Sequence, residues 1–154
     1  MRLINPKIYV IDDDQLYMQM LTKSLTNNSY NRVIGFKSVT EGFKKIDSPD
    51  IIFIDYHLAD LNGLSAAKIL KQSWKKAKIV LISNEFSLNK IRNPKKYGID
   101  LLSPKSSDFN QYALQIKQLQ FKKISSIVLK GAFISLFLVA VYFFGTLEKL
   151  LNNY

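Results

Sequence analysis

The chain has 154 residues, room for one core of ordinary size plus a short appendage. It contains no cysteine, which excludes disulfides and thiolate metal sites and permits a reducing compartment. Its formal net charge of +10 at pH 7 is spread over most of the chain; this suits an anionic membrane leaflet, and because no DNA-reading motif accompanies the basic residues, nucleic acid is not expected as a partner.

In MRLINPKIYV, Pro6 and Lys7 interrupt the apolar residues, so the N-terminus reads as the approach to a strand and not as a signal peptide. Short apolar runs then alternate with amphipathic stretches, the pattern of strands and helices wound into an open parallel sheet. The predicted strands are Lys7 to Ile11, Asn31 to Phe36, Ile51 to Ile54, Lys78 to Ile82 and Asp100 to Leu102. Ile51 to Ile54 is apolar without alternation, as a central parallel strand covered on both faces should be. Between the strands, Gln15 to Thr26 carries Tyr17, Leu21 and Leu25 on one face, and Leu64 to Trp74 carries Leu64, Ala67, Leu70 and Trp74. Ser38 and Glu41 have capping-box spacing for a helix through Ile46, which the turn at Ser48, Pro49 and Asp50 would end. Over 86 to 97, Asn93 and Pro94 fit the start of a short helix better than the interior of a long one. Asp108 then caps a helix that keeps Phe109, Tyr112, Ala113, Ile116 and Leu119 on one face, with no Gly or Pro before Gly131. The expected division is a domain over 1–120 and a helical extension with an anchor over 121–154.

From Ile124 to Leu147 the only charged residue is Lys130. The uncharged core from Gly131 to Leu147 would rise about 25 Å at 1.5 Å per residue, just short of a hydrocarbon slab of roughly 30 Å. Snorkelling by Lys130 would let a single transmembrane helix begin near Ser126 or Ile127, with Tyr142 toward the far interface. The alternative is a buried helix of a soluble fold. Lys122, Lys123 and Lys130 precede the span, while Lys149 beside Glu148 follows it, which puts the N-terminal domain on the cytoplasmic side of a bacterial inner membrane.

Three clusters carry chemistry. Asp12, Asp13 and Asp14 follow IYVI at the end of the first strand, and Asp55 follows IIFI at the end of the third. Ligands of open parallel sheets bind beyond the carboxyl ends of the strands, which puts these carboxylates in one crevice. Crowded carboxylates repel one another, so a hard divalent cation, Mg²⁺ above all, is their natural resident; helix capping is the other use of such an Asp run. Ser83 after KIVLI and Lys105 after DLLSP bring a hydroxyl and an ammonium to the same edge. A phosphoryl group on a carboxylate needs a cation and hydrogen-bond donors on its oxygens, and this set supplies both.

With these residues in place, Ile8 to Lys105 resembles the response-regulator receiver domain of the CheY-like, chemotaxis-regulator type. The resemblance implies a flavodoxin-like α/β fold, a doubly wound five-stranded parallel sheet of order 2-1-3-4-5. It also implies an acidic pair at Asp12 and Asp13 in YVIDDD, and a phosphoacceptor at Asp55 in IIFIDYHLADLNG with Gly63 eight residues on. The switch hydroxyl is matched by Ser83 in VLISN, and the lysine by Lys105 in YGIDLLSPKS. By the same resemblance, Mg²⁺ would be held by Asp12, Asp13, Asp55 and the backbone carbonyl of His57, and a sensor histidine kinase or small phosphodonor would supply the phosphoryl group. Three positions depart from the family pattern. Ala59 stands where a proline is usual, Pro104 precedes Lys105 while Ser106 follows it, and Leu102 occupies the aromatic switch position. A non-enzymatic, self-phosphorylating switch that signals through protein contacts is the expected function. The alternative is a receiver-like scaffold among integral membrane proteins with little or no phosphorylation role. An aspartate-nucleophile phosphatase fits less well, since His57 stands where its second acid belongs.

Overall fold

A computed structural model describes residues 5–45 and 47–151; within that range the side chains of 85, 86, 121–124, 126, 127, 130, 138 and 140–151 fall outside the description. Two compact units emerge, Met1–Ile116 and Lys117–Tyr154.

In the first unit, strands β1 (Ile8–Ile11), β2 (Val33–Phe36), β3 (Ile51–Asp55), β4 (Lys78–Ser83) and β5 (Leu101–Pro104) form one parallel sheet in the order β2-β1-β3-β4-β5. The expected topology is therefore present. β1 and β3 lie at the centre and are buried along their whole length, which is why neither alternates in polarity. Helices α1 (Gln15–Asn27), α2 (Val39–Phe43), α3 (Gly63–Ser73) and α4 (Glu85–Asn89) intervene, with a 3-10 turn at Pro94–Tyr97 before β5.

Local chemistry sets these boundaries. Asp14 caps α1, its carboxylate accepting from the backbone N–H groups of Leu16 and Tyr17, each at 3.0 Å. Ser38 Oγ accepts from Glu41 N–H at 3.1 Å, while Glu41 reaches back to the N–H of Lys37 at 2.7 Å. Despite this start α2 ends at Phe43, short of the expected Ile46, and residue 46 lies outside the described residues. Pro94 opens the 3-10 turn and Gly98 closes it at φ 76°, so the weak stretch before β5 resolves into two short pieces. One hydrophobic cluster of the sheet gathers Tyr9, Ile52, Ile54, Leu70, Ile79 and Leu81.

Helix α5 runs over Asn110–Leu151. The transmembrane span expected over 124–147 is not supported, because among the described residues no helix is long and apolar enough to cross a membrane. Much of that stretch lies outside the described side chains; its longest described run, 131–137, would rise only about 10 Å, far less than the roughly 30 Å a span requires. The described apolar residues there, among them Val128, Phe133, Leu136 and Phe137, are exposed.

Candidate phosphoryl-acceptor site

Register places the functional residues at one sheet edge. Ile11 pairs with Phe36 and with Ile54, so Asp12 and Asp55 leave adjacent strands at the same level. Asp55 pairs with Ile82, and Ser83 with Pro104, which brings the ends of β4 and β5 to the same place. One carboxylate oxygen from each of Asp12, Asp13 and Asp55 lies within 4.8 Å of the others. The acidic run divides its labour: Asp14 caps α1, leaving Asp12 and Asp13 for the crevice.

Asp12 is 2% exposed. Its Oδ1 accepts from the N–H of Asp14 at 2.9 Å, and its Oδ2 lies 3.1 Å from the Lys105 ammonium. Burial, and then repulsion from Asp55, push its pKa up to about 6, although Lys105 and the Asp14 amide pull the other way. Asp55 is also buried, with Oδ2 accepting from the His57 N–H at 3.0 Å and Oδ1 3.2 Å from Lys105 Nζ. Lys105 thus bridges the two carboxylates, and although burial pulls its pKa down, their charges hold it above the ordinary lysine value. Ser83 is 1% exposed, and its Oγ has no hydrogen-bond partner among the described residues. A buried hydroxyl without a partner is costly, which suits a group held ready for an incoming acceptor.

Four predicted residues therefore meet, Asp12, Asp13, Asp55 and Lys105, and Ser83 lies beside them at the end of β4, its carbonyl accepting from the Lys105 N–H at 2.7 Å. His57 contributes differently, since its backbone N–H is what touches Asp55. Its exposed imidazole faces away to Ser87, with Nε2 3.1 Å from Oγ. Gly63 has a steric reason. A Cβ there would sit 2.6 Å from Tyr56 Cα and 2.7 Å from the Asp55 carbonyl oxygen, so only glycine lets α3 start against the loop that follows Asp55. Sequence reading missed one participant, Tyr17. Its helical spacing marked it as a covering residue, yet its ring lies under Lys105, with Nζ 4.7 Å from the centroid.

Comparison with known proteins agrees with this fold. The response regulator receiver domain family matches residues 8–117. The chain is 36% identical over 67 residues to a protein-glutamate methylesterase/protein-glutamine glutaminase of Lawsonia intracellularis, covering 42% of this chain and 19% of that protein. It is 24% identical over 106 residues to the DNA-binding transcriptional regulator NtrC of Proteus hauseri, covering 68% of this chain and 22% of that protein. It thus spans about a fifth of the length of these relatives. Among solved structures, the response regulator TrrA of Thermotoga maritima in complex with Mg(2+)-BeF superposes with a TM-score of 0.63 at 24% identity, covering 73% of this chain and 96% of that one.

Proposed function

We propose, since this chain belongs to the response regulator receiver domain family, that it is a phosphoacceptor switch in which Asp55 is the residue phosphorylated. The observation that carries this reading is the Lys105 ammonium held at 3.1 and 3.2 Å between Asp12 and Asp55, at the edge where the Ser83 hydroxyl is unpaired among the described residues. Three carboxylates supply hard oxygen donors with too little opposing charge, and this fits a Mg²⁺ held by Asp12, Asp13 and Asp55, with the His57 carbonyl as a further ligand. Magnesium, when bound, would neutralise charge on the carboxylates and on the phosphoryl oxygens.

An oxygen of Asp55 attacks the phosphorus of a phosphohistidine on a sensor kinase, or of a small acyl phosphate. The new O–P bond forms as the old bond to the donor breaks, and the donor atom leaves with the electron pair. Lys105 and Ser83 then face the phosphoryl oxygens with an ammonium and an O–H donor, so catalysis is positioning and charge stabilisation. The product, an aspartyl phosphate, biases contacts made by the domain surface.

The finer part of the proposal is attachment to a membrane through 124–147, with the receiver on the cytoplasmic side of a bacterial inner membrane and integral membrane proteins as neighbours. Its support is the uncharged run from Gly131 to Leu147, led by Lys122, Lys123 and Lys130, together with the exposed apolar side chains described there.

Mixing the 154-residue chain with Mg²⁺ and beryllofluoride or acetyl phosphate tests the switch. Uptake that Asp55→Asn abolishes supports it, and uptake that survives this substitution overturns it. Removal of 124–147 should release the chain from membranes; a truncated chain that stays membrane-bound overturns the attachment.

A further inference from the structure

Two tyrosines clasp the backbone on both sides of Lys105. The N–H of Ser106 donates to Tyr17 Oη at 3.3 Å, and the hydroxyl of Tyr112 donates to the Pro104 carbonyl at 3.1 Å. The two phenol oxygens are themselves hydrogen-bonded to each other, joining α1 to the first turn of α5. One consistent set of donors runs from Ser106 N–H to Tyr17, from the Tyr17 O–H to Tyr112, and from the Tyr112 O–H to Pro104. Burial raises both phenol pKa values, so both remain donors. The residues gripped are the immediate neighbours of Lys105, and the Tyr17 ring lies beneath the ammonium that this backbone carries.

The position that usually carries an aromatic ring, on the strand leading to the lysine, is Leu102 here, only partly buried. An aromatic ring next to the lysine comes instead from a different element, α1. Lysine has four rotatable side-chain bonds and a compact charge, so reaching Asp12 and Asp55 together requires that its alternatives be restricted. A quadrupolar face below and fixed backbone on either side do so.

We infer that Tyr17 is the positioning residue for Lys105, and that Tyr112 holds Tyr17 in place through the paired hydroxyls. This inference rests on the phosphoacceptor reading above. Tyr17 is not one of the three carboxylates that could hold a metal ion; it acts through the lysine. It also makes the lysine's position mechanically continuous with α5, through Tyr112.

The test compares Tyr17→Leu, Tyr17→Phe and Tyr112→Phe with the unmodified chain, using acetyl phosphate and Mg²⁺. Tyr17→Leu should lower the maximal phosphorylation rate about fivefold, the size of one cation–π contact, with little change in the acetyl phosphate concentration at half-maximal rate. Tyr17→Phe keeps the ring and should recover most of that loss, and Tyr112→Phe should fall between the two. A second measurement separates positioning from a merely structural role. In NMR spectra without phosphodonor, the Lys105 ε-methylene protons should show an upfield ring-current shift, absent from Tyr17→Leu and present in Tyr17→Phe. A chain that takes up no phosphoryl group overturns the phosphoacceptor reading, and this inference with it. A chain that is phosphorylated while Tyr17→Leu keeps its rate, or whose Lys105 protons show no such shift, overturns this inference alone.

Discussion

Replacing Asp12 by Asn should stabilise the metal-free protein, although it deletes a charge from the centre of the site. Asp12 is 2% exposed, and its carboxyl is lifted from 3.8 to about 6 by burial first and by Asp55 second. Between those values the folded chain holds a proton that the unfolded chain releases, so stability falls as pH rises through that window and levels off above about pH 6. At 1.36 kcal/mol per pH unit, the ionised carboxylate costs the fold up to about 3 kcal/mol at pH 7.5. The attraction of Lys105 is already contained in that net value, because it is one of the opposing causes. Asn keeps an oxygen that can accept from the Asp14 N–H, so its expected gain is about 1–3 kcal/mol at pH 7.5, shrinking to about half a kcal/mol at pH 4. Urea unfolding followed by circular dichroism, in EDTA at both pH values, measures it. Millimolar Mg²⁺ should then stabilise the unmodified chain more than the variant. A loss of stability at pH 7.5, or an equal gain at both pH values, would refute the charge-crowding argument.

Ser83→Ala removes a buried hydroxyl that has no partner among the described residues, so denaturation should show it neutral or stabilising by up to about 1 kcal/mol, while beryllofluoride titration should show weaker binding. Gly63→Ala forces a Cβ to within 2.6 Å of backbone; unfolding should register a loss of about 1–3 kcal/mol, and the phosphorylation rate should fall with it because the loop after Asp55 must move. Asp100 pairs with Lys71 and Lys78, and although burial raises its pKa, those bonds and the Ile79 N–H hold it below the ordinary carboxylate value. Its stabilisation is present above about pH 4 and is lost as pH falls through the lowered value, so Asp100→Asn should cost about 1–3 kcal/mol at pH 7 and flatten the acid limb of a stability–pH profile.

Strands were legible in the sequence because four of them are apolar runs bounded by polar residues, and parallel strands covered on both faces leave no other pattern. Their last residues were less so. β3 extends to Asp55 and β4 to Ser83, since a ladder hydrogen bond continues through a polar residue when the neighbouring strand is still in register. Position along the strands was enough to gather Asp12, Asp13, Asp55, Ser83 and Lys105, because a shared sheet edge is a one-dimensional property. Tyr17 was legible only as a face of α1. Its partner Tyr112 lies 95 residues away on another helix, and periodicity within one helix says nothing about which hydroxyls meet between two. The interruption at Pro94 was visible as a break, but the split into α4 and a 3-10 turn depends on Gly98 reaching φ 76° against the stem of Lys71, a contact between distant segments.

Two groups of the site are unfavourable in the resting fold. Asp12 carries a charge that burial and Asp55 oppose, and Ser83 keeps a hydroxyl with no partner among the described residues. Lys105 and the Asp14 amide offset the first cost, and one ammonium shared between two carboxylates leaves net negative charge. A divalent cation would remove the first cost, and a phosphoryl oxygen facing Ser83 would remove the second, while drawing Lys105 toward a new partner. The differential energy that drives a conformational bias must come from contacts made in one state and not in the other. Here both are built into the site as strain of charge and of an unmade hydrogen bond. Because Lys105 is gripped through Pro104 and Ser106 by tyrosines on α1 and α5, any displacement of its ammonium is resisted by that clasp, and the α1–α5 side of the domain is where the response to phosphorylation should first be felt.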